Sequence, residues 1–182
     1  MVHGTARDFL LSDDLESDFA ANKTEAHTRL TRACLTYLTG KEMRSPRTGR
    51  RGSALDIAGK RARFSIYACS AFSYHLARAS PLANDVLFLV DKFLEANVLS
   101  WIEFVARTHN LTPFIRAAKH LRTYLASCAT ERSPLDRLVQ TISGWTTDFV
   151  SIVAKFADAL TMSPSAIYSL ILPSCPTKSA IH

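Results

Sequence analysis

"LDRLVQTISGWTTDFVSIVAKFADAL", residues Leu135 to Leu160, decides the fold. Leu135, Leu138, Val139, Ile142, Trp145, Phe149, Ile152, Val153, Phe156 and Leu160 recur at the three-and-four spacing of an α-helix. An apolar stripe this long needs other helices to cover it. Gly144 is expected to weaken or bend the helix.

Those partners are legible on the N-terminal side. Asn22 followed by Glu25 forms a capping-box pattern, and Ala26, Leu30, Ala33, Cys34, Tyr37 and Leu38 then share a face until Gly40. Phe64, Tyr67, Ala68, Ala71, Phe72 and His75 mark a second helix ending near Ser80. Leu82, Val86, Leu89, Val90, Phe93 and Leu94 mark a third, and Val98, Trp101, Ile102 and Val105 a short successor after Asn97. Phe114, Ile115, Ala118, Leu121, Leu125 and Cys128 complete the set. Ser80-Pro81, Thr112-Pro113, Ser133-Pro134 and Ser163-Pro164 each place a hydroxyl before a proline, a pattern that predicts four helix starts.

The expected fold is therefore all-α, an antiparallel bundle or short superhelical array with a basic loop and an extended C-terminal connector. The starts are unevenly spaced and share no consensus, which argues against a repeat solenoid. β-branched residues do not alternate in runs, and an all-β fold is disfavoured.

The net charge of +6 has one source. Lys41, Arg44, Arg47, Arg50, Arg51, Lys60, Arg61 and Arg63 face only Glu42 and Asp56, so the rest of the chain is neutral. This describes a basic loop, with Arg44, Arg47, Arg50 and Arg51 at its centre. It suits phosphate or an acidic protein surface but offers no element for reading bases, so nucleic acid is disfavoured. Cys34, Cys69, Cys128 and Cys175 lie far apart without a C-x-x-C pair, and no metal site is spelled out. His3, Arg7 and Asp8 interrupt the region where a secretory signal would need an apolar run. A reduced, cytoplasmic protein is expected. The uncharged run Ala159–Thr177 contains Pro164, Pro173 and Pro176, a poor bilayer-spanning helix, so no membrane anchor is expected.

Motifs of enzymes are missing. In "ALDIAGKRARF", Gly59-Lys60 imitates a phosphate-binding loop, but Ala54 stands where glycine is needed and Arg61 where Ser or Thr would hold magnesium. No H-E-x-x-H, G-x-S-x-G or G-x-G-x-x-G occurs. No catalytic residue, metal ligand or small-molecule substrate is nominated, and the expectation is a protein that is not an enzyme.

Two ends of the chain carry a resemblance. "VHGTARDFLLSDDL" with "EAHTRLTRACLTYL" resembles the end of the winged-helix region in fungal NACHT-type STAND proteins, NTPase regulators related to animal NOD-like receptors. His3, Thr5, Asp8, Phe9 and Leu10 match the pattern there, with Gly4 departing from it. "FSIYACSAFSYHLARAS" and "FLEANVLSWIEFVARTHNLTPFIRAAKHLRTYL" are similar to the helical segment that follows. "SPSAIYSLILPSCPTKSAIH" resembles the stretch leading to the C-terminal sensor, often a WD-repeat propeller.

The resemblance implies a winged-helix remnant and first helix over 1–40, a basic loop over 41–60, a bundle over 61–162, and over 163–182 a connector to a missing C-terminal domain. It implies that ADP or ATP belongs to the full-length family, with no cofactor held by this chain, and that His3 inherits a nucleotide-phosphate contact. It also implies flanking protein domains as partners, with Ile167, Tyr168, Leu170, Ile171 and Leu172 docking against them. On this basis the chain is expected to be a noncatalytic, fragment-like helical coupling module. A stand-alone interaction adaptor is the alternative.

Overall fold

The computed structural model describes residues 22–43, 63–130 and 137–181. It is all-α. In chain order the helices are α1 (Lys23–Thr39), α2 (Arg63–Leu76), α3 (Asn84–Ala96), α4 (Val98–Ala106), α5 (Thr112–Cys128), α6 (Arg137–Met162) and the single turn α7 (Leu172–Ser174). A 3₁₀ turn, Lys41–Met43, follows α1, and a π turn, Ile167–Ile171, precedes α7. No strand occurs among the described residues.

The helix contacts close a ring: α1 packs on α2, α2 on α5, α5 on α6, α6 on α3, and α3 back on α1. Short α4 touches α3 and α6 and carries Trp101 to the centre. Four of the five ring helices, α2, α3, α5 and α6, each send one phenylalanine to that indole: Phe72 at 5.6 Å, Phe93 at 6.0 Å, Phe114 at 5.2 Å and Phe149 at 5.4 Å between ring centroids. These tilted and edge-to-face contacts suit the ring quadrupoles. The indole N–H, which burial would otherwise orphan, donates to the Cys69 carbonyl at 2.9 Å.

The expected capping box at α1 is present in half, since the Asn22 side chain accepts from the Glu25 N–H at 3.0 Å. The faces differ from expectation. α1 buries Thr28, Thr31, Cys34, Leu35 and Leu38, while Leu30 and Ala33 face solvent. Each buried threonine returns its hydroxyl to its own helix, Thr28 to the Thr24 carbonyl at 2.7 Å and Thr31 to the His27 carbonyl at 2.8 Å. That satisfies the hydroxyl and lets a polar residue stand in the core. Similarly α2 buries Ser65, Ala68, Cys69, Phe72 and Leu76 and leaves Phe64 and Tyr67 at its exposed edge.

The proline signals need correction. Ser80-Pro81 precedes a turn rather than the helix, because the Ser80 N–H donates to Thr28 Oγ1 at 2.9 Å and its hydroxyl accepts from the Leu82 N–H at 3.3 Å. α3 starts later, after uncapped Ala83. Thr112-Pro113 does open α5, but Thr112 lies inside the helix and Asn110 Oδ1 accepts its N–H at 3.0 Å. Ser163-Pro164 follows the end of α6 and leads into the next helical run, with the Ala166 N–H donating to the Ser163 carbonyl at 2.9 Å just before the π turn. Ser133-Pro134 lies outside the described residues.

Gly144 does not bend α6. The non-helical residue is Phe156, at φ −129° and ψ 17°, where α6 passes beneath the tail. Gly144 has another use: a Cβ there would stand 3.0 Å from the Ala180 Cβ, so its bare surface admits the tail.

That tail is not extended. The Leu172 N–H donates back to the Ile167 carbonyl, closing the π turn. Ile167 and Ile171 are fully buried against the body, and Ile181 nearly so. The Ile181 N–H donates to Asp148 at 3.0 Å, and Tyr168 OH donates to Glu103 at 3.3 Å.

Candidate functional site

Across the ring from the tail, α1, α2 and α5 bring three histidines and two tyrosines to one surface. His27 comes from α1, Tyr67, Tyr74 and His75 from α2, and His120 from α5. His27 Nδ1 and His75 Nδ1 lie 2.8 Å apart, and His75 Nε2 lies 2.5 Å from Tyr67 OH. The three groups form a chain, Tyr67 to His75 to His27. One hydrogen fits between the two Nδ1 atoms, so the pair accommodates at most one added proton; a second would set N–H against N–H.

The electrostatics agree with this count. Burial, then Arg78, holds His27 below the ordinary histidine range; burial, then His27 and Arg78, does the same for His75. Burial, followed by the Cys34 thiol, raises Tyr67, which stays a phenol. Cys34 itself is pushed up to about 11 by burial and behaves as a small hydrophobe.

His120 sits beside this chain. Its Nδ1 meets Ser73 Oγ at 3.1 Å, a serine–histidine pair. As a nucleophile and base the pair is poorly arranged. Ser73 is 3% exposed, which closes its hydroxyl to a substrate. His120 is held low by burial and then by Arg78, Lys119 and Arg116, the opposite of the carboxylate that orients a catalytic imidazole. Tyr74 lies between the histidines, edge-on to His27 at 5.8 Å and to His120 at 6.2 Å, with the Arg78 guanidinium 3.8 Å above its ring.

A concavity of about 390 Å³ lies between α6 and the tail. Thr147, Asp148, Ser151 and Lys155 line one wall, Cys175 and Lys178 the other. Burial raises the Asp148 carboxyl, and burial followed by Asp148 raises the Cys175 thiol. A raised thiol is not an activated nucleophile. Among the described residues no cluster of His, Cys, Asp or Glu has the arrangement to hold a metal ion. No helix there is long and apolar enough to cross a membrane.

The site residues nominated from sequence fall elsewhere. His3 and Arg44, Arg47, Arg50 and Arg51 lie outside the described residues. Of the tail set, Ile167 and Ile171 are buried in the chain's own core, Tyr168 and Leu172 are half-buried against it, and Leu170 is 45% exposed. The histidine–tyrosine surface was not anticipated. Its members belong to separate helices 48 and 47 residues apart, and only packing joins them. The sequence signal was one histidine on each of three amphipathic helices.

No known protein family, curated protein or solved structure matches the chain.

Proposed function

We propose that this chain is a noncatalytic helical coupling module that works by contact, of the kind that stands between a nucleotide-binding module and a C-terminal sensor in NACHT-type signalling proteins. One observation carries this: α2 presents a row of exposed apolar side chains. Ile66 is 64% exposed and Tyr74 44%, with Phe64 and Tyr67 beside them. A row of that kind on a rigid ring is a surface for another protein. The ring supplies the stiffness that coupling between two ends requires, and the partner's differential contacts supply the bias. The buried Ser73 and the cation-flanked His120 support a role without chemistry.

The alternative is a stand-alone interaction adaptor, and the closed tail seat favours it, since the C-terminal segment completes the body without a neighbour. Transcript sequence separates the two: a Walker-A loop upstream and propeller repeats downstream in one reading frame belong to the coupling module. Calorimetric titration of the purified chain with ATP and ADP tests the noncatalytic claim. No binding is expected, and a dissociation constant of about 10 μM or tighter, near −7 kcal/mol, refutes it.

A further inference from the structure

α2 and α5, of 14 and 17 residues, contain no Asp or Glu. Carboxylates occur in every other helix longer than one turn. Among the described residues the carboxylates that pair with arginine are committed elsewhere, Glu25 to Arg29, Asp85 to Arg32 and Glu103 to Arg107. None reaches Arg78, Arg116 or Lys119, whose charges converge on His120. Among the described residues the α2–α5 seam is thus a cationic strip with no carboxylate paired to it. Like charges held together on a rigid surface repel, and an anionic partner relieves that repulsion.

We infer that the α2–α5 seam docks an acidic protein segment, with carboxylates seated on Arg78, Arg116, Lys119 and His120 and apolar side chains laid on Ile66 and Ile115. This deepens the coupling-module proposal and rests on it. The surface is mixed: Ile66 on α2 and Ile115 on α5 are exposed aliphatics, with Arg116 and Lys119 also on α5 and Arg78 just past the end of α2. Nucleic acid suits it less well. Single strands bind by stacking bases on open aromatic faces, and the face of Tyr74 is covered by Arg78 while its surroundings are filled by His27, His75 and His120. An isoleucine has no hydrogen bond to give a base, but it fits the leucine or valine of an acidic amphipathic segment.

The test is fluorescence anisotropy with a labelled peptide alternating Glu and Leu, measured at about 0.05 M salt, where surface charges are weakly screened. The matched Gln–Leu peptide, a single-stranded oligonucleotide of equal length and inorganic phosphate serve as comparisons. The Glu peptide should bind at least about tenfold more tightly than the Gln peptide. Arg116→Gln with Lys119→Gln should remove most of that difference. Both residues are exposed helix positions, so the far-UV spectrum and unfolding midpoint should not change; if that pair perturbs folding, Arg78→Gln and the salt dependence of the intact chain give the same readout.

Equal binding of the two peptides, indifference to the glutamine substitutions, tighter binding of the oligonucleotide, or displacement of the peptide by phosphate at equal concentration would each overturn the assignment. The coupling proposal fails differently: nucleotide binding by the chain would sink it, and charge-independent docking on Phe64 and Ile66 would leave it standing.

Discussion

Ile171→Ala truncates a side chain with no solvent exposure in the π turn of the tail. Removing its γ and δ carbons loses about 0.8 kcal/mol of transfer free energy per carbon, about 2–3 kcal/mol together. The cavity left behind brings the cost to about 3–4 kcal/mol, within the range of buried Ile→Ala changes. The neighbouring Leu170 is 45% exposed, and Leu170→Ala should stay within about 0.5 kcal/mol. Urea unfolding followed by tryptophan fluorescence reads both variants. With a slope of about 2 kcal/mol/M, Ile171→Ala should lower the midpoint by about 1.5 M or more, and Leu170→Ala should hardly move it. The comparison tests register as well as burial, because the two side chains are adjacent in one turn. A small cost for Ile171→Ala, or the larger cost at Leu170, would show that the tail does not seat on the body in this way.

Gly144→Ala should gain about 1 kcal/mol of helix propensity but lose most of it to the 3.0 Å approach of the Ala180 Cβ; in an Ala180→Gly background the gain should reappear, a coupling of about 0.5–1 kcal/mol in a double-mutant cycle. Asn97 is 1% exposed and its amide donates to the Leu38 carbonyl at 2.7 Å and the Gly40 carbonyl at 3.2 Å, so Asn97→Ala should cost about 2 kcal/mol in thermal unfolding. His27, His75 and His120 all titrate below the ordinary histidine range in the fold, burial being the first cause and neighbouring positive charge the second. The unfolded chain therefore binds more protons just below about pH 6.5, so their contribution is complete above that value and is lost as pH falls through the folded-state range. The slope is at most about 1.4 kcal/mol per pH unit for each proton taken up, and less for His27, which solvent screens; His75→Gln should flatten the midpoint-against-pH curve, and an unchanged curve would contradict the burial of His75 against His27.

Fold class was legible because the large apolar side chains repeat at helical spacing over six separate stretches. Trp101, Phe114 and Phe149 each fall on the expected face. The faces of α1 and α2 were set slightly wrong, because Thr28, Thr31 and Ser65 are buried and hydropathy places them outside. The Thr28 and Thr31 hydroxyls bond to their own helix, and hydropathy carries no such signal. The proline pairs misled because a hydroxyl before proline favours turns as well as helix starts; the Ser80 N–H meets Thr28, a residue far away in sequence.

The tail illustrates a different limit. Its apolar residues were expected to dock against flanking domains; Ile167 and Ile171 instead seat on the chain's own body, where Gly144, Asp148 and Glu103 meet the tail, and sequence did not reveal that seat. The α1–α2–α5 surface was illegible for a similar reason: convergence of His27, His75 and His120 depends on how three helices are placed around the ring.

Amide hydrogen exchange on the isolated chain and on the chain with the Glu–Leu peptide tests the central claim most directly, that the body seals its own tail and makes contact through the α1–α2–α5 surface. The account predicts that amides of 167–175 are protected in the chain alone, and that added peptide slows exchange over 66–78 and 112–122 without changing the tail. Free exchange of the tail in the isolated chain, with protection gained there when the peptide binds, would contradict it.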